Sequence, residues 1–278
     1  MARASAAALS ALAVALLSLS SSVKAGCILE RGVTTPNEHD AYTCIRSQDM
    51  KADLARLPMD NMKLLNVDFR DSKIQKIGKD DLQKLGTKAL GISIVHSGLE
   101  DIDEEAFRGL TELKALILRR NRLIDVRKSW FKDLDKLESL DLSGNVIRVF
   151  DTAIFDHTPM IQEFEISENQ LTHFDIDAMK NKWPKLKKAG LQWNPYEWGQ
   201  GVKVIDYANA NPSIVKNSRA SIDGLRDTAK LIKECQATLQ KKDDAKELDI
   251  CMQGKLTKAI EFPKLLEGDK NSSDTKSA

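Results

Sequence analysis

Leu137-x-x-Leu140-x-Leu142-x-x-Asn145-x-Ile147, followed by Phe150 and Phe155, is the stretch on which the fold turns. Twenty-four residues earlier the same pattern reads Leu113, Leu116, Leu118, Asn121, Leu123, Val126 and Phe131. Twenty-four residues later it reads Ile161, Phe164, Ile166, Asn169, Leu171, Phe174 and Met179. Two further copies precede these: Ala89, Ile92, Ile94, Ser97, Leu99, Ile102, Phe107, and before it Leu64, Val67, Phe69, Ser72, Ile74, Ile77, Leu82. A truncated copy follows as Leu186, Ala189, Leu191, Asn194 and Pro195. In all five full copies each of the six apolar places is apolar, in a chain only 42% hydrophobic, so composition does not account for the pattern. A fixed period of this size is the signature of a solenoid.

The spacing has a physical meaning. Leu140 and Leu142 are two apart, so both lie on one side of a short strand. The amide of Asn145 can donate to and accept from the backbone of a neighbouring coil, which satisfies a turn otherwise buried between repeats. Asn121, Asn145, Asn169 and Asn194 hold this place, and Ser72 and Ser97 hold it in the first two copies. Serine lacks the amide donor pair, which predicts fewer bonds there. One repeat cannot bury its own apolar face, so stability must come from stacking.

The block from Leu64 to Asn194 resembles the extracellular leucine-rich repeat family with its typical 24-residue period. The resemblance implies an α/β solenoid, a leucine-rich repeat horseshoe with a parallel concave β-sheet. It also implies protein binding, without naming the ligand. Residues 26–58 look like the family's N-terminal cap, two apolar stretches around a polar loop closed by Cys27–Cys44. Repeats then occupy 59–195, five full and one partial. Asn194-Pro195-Tyr196 opens what looks like a C-terminal cap over 196–220, but the cysteines usual after that motif are missing. A helix packed on Trp198 and Trp193 is expected in their place.

The ends carry further information. Arg3, the apolar run Ala6 to Leu19, three serines and Val23-Lys24-Ala25 have the layout of a secretory signal over residues 1–25. The run is shorter than the ~20 residues a membrane span needs, so a secreted, extracellular chain is expected. Four cysteines in an oxidising compartment allow three connectivities, and their placement favours Cys27–Cys44 and Cys235–Cys251. Between the second pair, Leu225, Ala229, Ile232, Cys235 and Leu239 form one helical stripe and Leu248, Cys251, Met252 and Leu256 another. A C-terminal helical hairpin over 221–267 follows, because one continuous helix would hold the two cysteines roughly 24 Å apart. The tail is similar in part to that of insect leucine-rich immune proteins. Residues 268–278 read as disordered and contain Asn271, the one glycosylation sequon.

Net charge is +1, from 42 basic and 41 acidic residues, which gives no field favouring nucleic acid or an anionic membrane. The cysteine pairs lack metal spacing, and no cofactor-binding loop or nucleophile motif is present, so neither catalysis, metal nor cofactor is expected. Glu163 and Glu165 share a strand face but read as a solvated edge. Residues between and just after the strand leucines should form the concave face. Of these, Arg70, Ile117, Arg119, Arg120, Asp141, Glu163, Glu165, Glu168 and Trp193 are the candidate ligand-binding residues. Arg119 and Arg120 make a basic centre, Asp141, Glu163, Glu165 and Glu168 an acidic flank, and Trp193 one end. Six strands at ~4.8 Å span roughly 29 Å, enough for a protein interface and too open for a small-molecule pocket. Two roles fit: recognition of a protein or microbial surface ligand in innate immunity, or an adaptor that forms homo- or hetero-oligomers through residues 221–267.

Overall fold

In a computed structural model the chain is described for residues 25–32, 39–215, 230, 233–239, 247 and 250–251. It divides into two units, Met1–Ser221 and Ile222–Ala278. The signal-like run over 1–24, residues 268–278 and Asn271 lie outside the described residues.

In the first unit the period-two apolar pairs become strands. β1 (Gly26–Glu30), β2 (Asp40–Ile45), β3 (Leu65–Arg70), β5 (Ala89–Val95), β7 (Ala115–Ile117), β9 (Ser139–Asp141), β11 (Glu163–Glu165) and β12 (Lys188–Gly190) lie side by side in chain order in one sheet. Every pairing is parallel except the β1–β2 hairpin. On the far side of the coils, β4 (Lys76–Ile77) pairs with β6 (Asp101–Ile102), and β8 (Asp125–Val126) with β10 (Val149–Phe150). Short helical turns complete the outer wall: α1 (Met50–Ala55), α2 (Ile154–His157), α3 (Ile176–Lys182) and 3-10 turns at Gln83–Lys88 and Lys128–Phe131. This is the leucine-rich repeat horseshoe, with its N-terminal disulfide cap. The repeat leucines and the Phe107, Phe131, Phe155 and Met179 column are buried between the layers.

The first copy needs a correction. Leu64 is only half-buried, and the core position belongs to Leu65, which is fully buried and pairs with Ala89. The register then slips between Leu65 and Asn66, so that Asn66 faces Gly91. The 25-residue spacing of this copy is absorbed by one extra residue in β5, a bulge, rather than by the loop. The Leu64 carbonyl instead accepts the Asp40 N–H at 2.9 Å.

The buried turn residues tie each coil to the next. The Asn145 amide donates to Leu118 O and Leu142 O at 3.0 and 2.9 Å, and its oxygen accepts Leu123 N–H at 3.1 Å. Asn121 and Asn169 repeat this, and Asn194 extends it to the last coil. Ser72 and Ser97 each accept one N–H from the preceding coil or cap and donate to a carbonyl two residues back. Their rungs therefore hold fewer bonds. The ladder also runs one step further than the repeat pattern. Ser47 sits 25 residues before Ser72, its N–H donates to Ser72 Oγ, and Tyr42 and Cys44 stand opposite Val67 and Phe69. The N-terminal cap is thus a degenerate coil.

Both sheet ends are covered, as an open parallel sheet requires. At one end Cys27 faces Cys44 across the hairpin and the two are bonded. The buried Asp40 carboxylate accepts Gly32 and Lys63 N–H, both at 3.1 Å, and fastens the cap loop. At the other end α4 (Trp198–Ala210) buries Val204, Ile205 and Tyr207, and the Ala189 N–H on the edge of β12 donates to Ile214 O. The expected packing of this helix on Trp193 is not found: Trp193 is 64% exposed, because it occupies a left-handed turn position that faces away from the core. In the second unit residues 233–238 are helical, Cys235 is buried, and it is bonded to Cys251. Most of the hairpin read for 221–267, including its polar break, lies outside the described residues.

Replacing Asn145 with Ala strips Leu118 O, Leu142 O and Leu123 N–H of their buried partner, and should destabilise the first unit by roughly 1–3 kcal/mol. Asn145→Ser should recover part of the loss, as Ser72 and Ser97 do naturally. Urea unfolding of the three proteins checks this; equal midpoints would show that these backbone groups are solvated.

Candidate ligand-binding face

Side chains that alternate with the core leucines face solvent on the main sheet, and most are only half-buried by their neighbours. Several satisfy one another. Arg70 pairs with Asp68 on the same strand, and Ser93 donates to the second oxygen of that carboxylate at 2.6 Å. Ser143 donates to Asp141 at 2.6 Å. Lys188 contacts Glu165 at 2.9 Å, and the Glu165 carboxylate lies over Gly190, filling the space a Cβ there would occupy. Burial pushes the Glu165 carboxyl above its ordinary value, against the opposing pull of Lys188, with Asp141 and Glu163 adding to the rise. For Lys188 burial acts downward, but the Glu165 hydrogen bond and the surrounding carboxylates outweigh it and raise its pKa.

Arg119 and Arg120 differ. Both are exposed, and neither side chain has a hydrogen-bonded or ion-paired partner among the described residues. Ile117 is half-buried beside them. Glu163 is half-buried and Glu168 exposed, also without a hydrogen-bonded or ion-paired side-chain partner among the described residues. Of the residues read from sequence, then, Arg70 and Glu165 are engaged within the face. Arg119, Arg120, Glu163, Glu168 and the exposed Trp193 remain available to a partner.

One feature of the face has no sequence signal except a glycine. The residue before each turn Asn or Ser adopts a left-handed backbone: Arg46, Asp71, His96, Arg120, Gly144, Glu168 and Trp193, with φ between 50 and 66°. Only Gly144 adopts this region without steric cost. The conformation is imposed by the ladder. The N–H groups of Asp71, His96, Arg120, Gly144 and Glu168 each donate to a carbonyl of the following coil, at 2.8–3.3 Å, continuing the sheet past the last strand residue. The side chains therefore form a ledge along the C-terminal edge of the sheet. His96 bonds Asp71 there at 2.7 Å. Arg120 runs alongside Gly144, whose missing side chain leaves it room: a Cβ would stand 3.2 Å from Arg120 Cγ.

Behind the ledge is an open groove of about 920 Å³, whose charged lining comprises Lys73, Arg120 and Arg122 with His96, and no carboxylate. Arg122 contacts Glu100 at 3.1 Å, while Lys73 is exposed and its side chain has no partner among the described residues. Cys27, Cys44 and Asp53 place ligand atoms within 4.8 Å of one another, but the two sulfurs are bonded to each other and offer no thiolate. Among the described residues no helix is long and apolar enough to cross a membrane.

The leucine rich repeat family profile matches residues 91–147 and 111–171. The chain is 26% identical to human mimecan over 104 residues, 35% of this chain and 35% of mimecan. It is 29% identical to bovine opticin over 99 residues, covering 34% and 31% of the two chains. It is 33% identical to zebrafish transforming growth factor beta activator LRRC33 over 101 residues, 36% and 14% of the two. The matched stretch spans about a third of the length of the mimecans and opticins. Among solved structures, the chain is similar to that of a TLR13–ssRNA13 complex, with a TM-score of 0.49 and 25% identity over 58% of this chain and 22% of that one. The family match and the three sequence relatives concern the repeat block, and they show what that part of the chain is similar to.

Two outcomes follow from the geometry. Arg120→Gly should change stability by less than about 1 kcal/mol, since glycine accepts the left-handed turn, whereas Arg120→Val should cost about 1–2 kcal/mol. Denaturation midpoints separate them, and equal values would remove the strain argument. The raised Glu165 pKa means that the folded state binds this proton more tightly than the unfolded chain. Its contribution is therefore most favourable at acid pH and declines as pH rises from the ordinary glutamate value of 4.5 through the raised one. Glu165→Gln should flatten the pH dependence of stability in that window; an unchanged slope would assign it to other groups.

Proposed function

We propose that this chain is a secreted recognition protein that captures a protein ligand on the solvent face of its repeat sheet, in the setting of extracellular defence. The observation that carries this reading is the pair Arg119 and Arg120. Two guanidiniums stand at the middle of the face, exposed and without an ion-paired partner among the described residues, while Arg70 and Glu165 are neutralised in place. Arginine and tryptophan are the residue types that most often anchor interfaces, and Trp193 is exposed on the same ledge. The layout of a secretory signal, two disulfides and similarity to extracellular leucine-rich repeat proteins support the compartment. The adaptor reading, with assembly through the helical tail, has less behind it: all four cysteines are paired within the chain and leave no thiol to bond a second subunit.

The test begins with the mature protein as bait in extracellular fluid from its source. Binding of the captured ligand is then compared for Arg119→Glu/Arg120→Glu and for a convex control, Lys128→Glu/Lys132→Glu. The central reversal should weaken binding by several kcal/mol, since it sets like charges against each other, while folding changes by only about 0.5 kcal/mol per residue. The control should bind as the parent does. If the arginine pair is silent and removal of residues 222–278 abolishes capture, recognition belongs to the tail.

A further inference from the structure

The charges available on this face are sorted by position. The groove along the first three repeat coils presents Lys73 and Arg120, neither with a hydrogen-bonded or ion-paired side-chain partner among the described residues, beside Arg122, which holds Glu100, and His96, which holds Asp71. One coil further Gly144 contributes no side chain, and beyond it come Glu163 and Glu168, with Asp141 beside them. Successive coils are ~4.8 Å apart, so Arg120 and Glu168, two coils apart on the ledge, are separated by roughly 10 Å, about a Debye length, with Asp141 on the coil between them.

Resting on the reading that this face is the binding surface, we propose that it selects a polypeptide of opposite charge polarity. An acidic segment of the partner lies in the Lys73–Arg120–Arg122 groove, and a basic segment of the same partner lies against Glu163 and Glu168. A uniform polyanion, such as a sulfated polysaccharide, is disfavoured because any chain longer than the groove runs into the acidic half. A uniform polycation meets the converse problem at Arg119 and Arg120. The Arg120 guanidinium in the groove suits the planar carboxylate of an acidic peptide. Gln48 and Gln75 in the same lining offer both donors and acceptors, as a peptide backbone requires. At the far end the exposed Trp193 ring is placed for a cation that extends past Glu168.

Three synthetic probes test this on the full chain: an oligo-glutamate peptide, an oligo-lysine peptide, and the two joined by a flexible linker, each with a terminal photo-crosslinker. Oligo-glutamate should label peptides containing Lys73 to Arg122, and oligo-lysine those containing Asp141 to Trp193, without competing. The joined peptide should bind at least roughly tenfold tighter than either alone, because its second contact is intramolecular. Lys73→Glu/Arg120→Gly, in which the glycine preserves the turn, should abolish oligo-glutamate labelling and spare oligo-lysine. Glu163→Lys/Glu168→Lys should do the reverse. Heparin binding tighter than the joined peptide would overturn the proposal in favour of a polyanion ligand, and so would labelling that ignores the two halves. If no probe binds while Arg119→Glu/Arg120→Glu still abolishes capture of the native ligand, charge polarity falls and the face remains the site. If both are silent, both readings fall.

Discussion

Everything in the first unit depends on a side chain that reaches from one coil into the backbone of the one before it. A parallel stack of short strands leaves a sharp turn after each strand, and the turn lies too deep for water to satisfy. The asparagine amide answers this with both a donor group and an acceptor, so that Asn121, Asn145 and Asn169 each bond two coils at once. Because a buried donor or acceptor left alone costs more than a bond returns, the rung enforces the repeat distance and the strand register together. The apolar column then has no freedom in where it packs.

The same constraint creates the candidate site. To bring asparagine inward while the N–H before it still serves the next coil, the chain turns through a left-handed residue. That position recurs on every coil, and only one of seven residues there is glycine. An L-residue held in this region is strained, and such strain persists only where the surroundings over-determine it. Here the hydrogen-bond ladder does so, and the outcome is a regular ledge of side chains held at fixed intervals on rigid backbone. A face preorganised in this way loses little entropy when it binds, which suits recognition better than a mobile loop would.

The ends show how a repetitive structure stops. The β1–β2 hairpin takes the first edge by antiparallel pairing, and its disulfide stands opposite the core column through Cys44. At the last strand a helix and the Ile214 carbonyl take the place of a next coil. Aromatic packing thickens toward that end, where Phe150, Phe155, Phe164, Phe174 and Trp183 contact one another and the buried Trp183 indole donates to Thr158 Oγ1 at 3.1 Å.

The sequence by itself determined the period, the inward column, the turn asparagines and which residues alternate onto the solvent face. All of these are consequences of local spacing. It could not place Ser47 as a further rung, since no leucine pattern surrounds it, nor choose Leu65 over Leu64, since both are apolar and a bulge decides between them. It could not tell that Arg70 and Glu165 are spoken for while Arg119 and Arg120 are free, nor that Trp193 is exposed on a left-handed turn. Those distinctions rest on distances between side chains within and between coils and on a backbone angle that the stacking imposes. Periodicity specifies which way a residue faces, and only the stacked neighbours specify what it meets there.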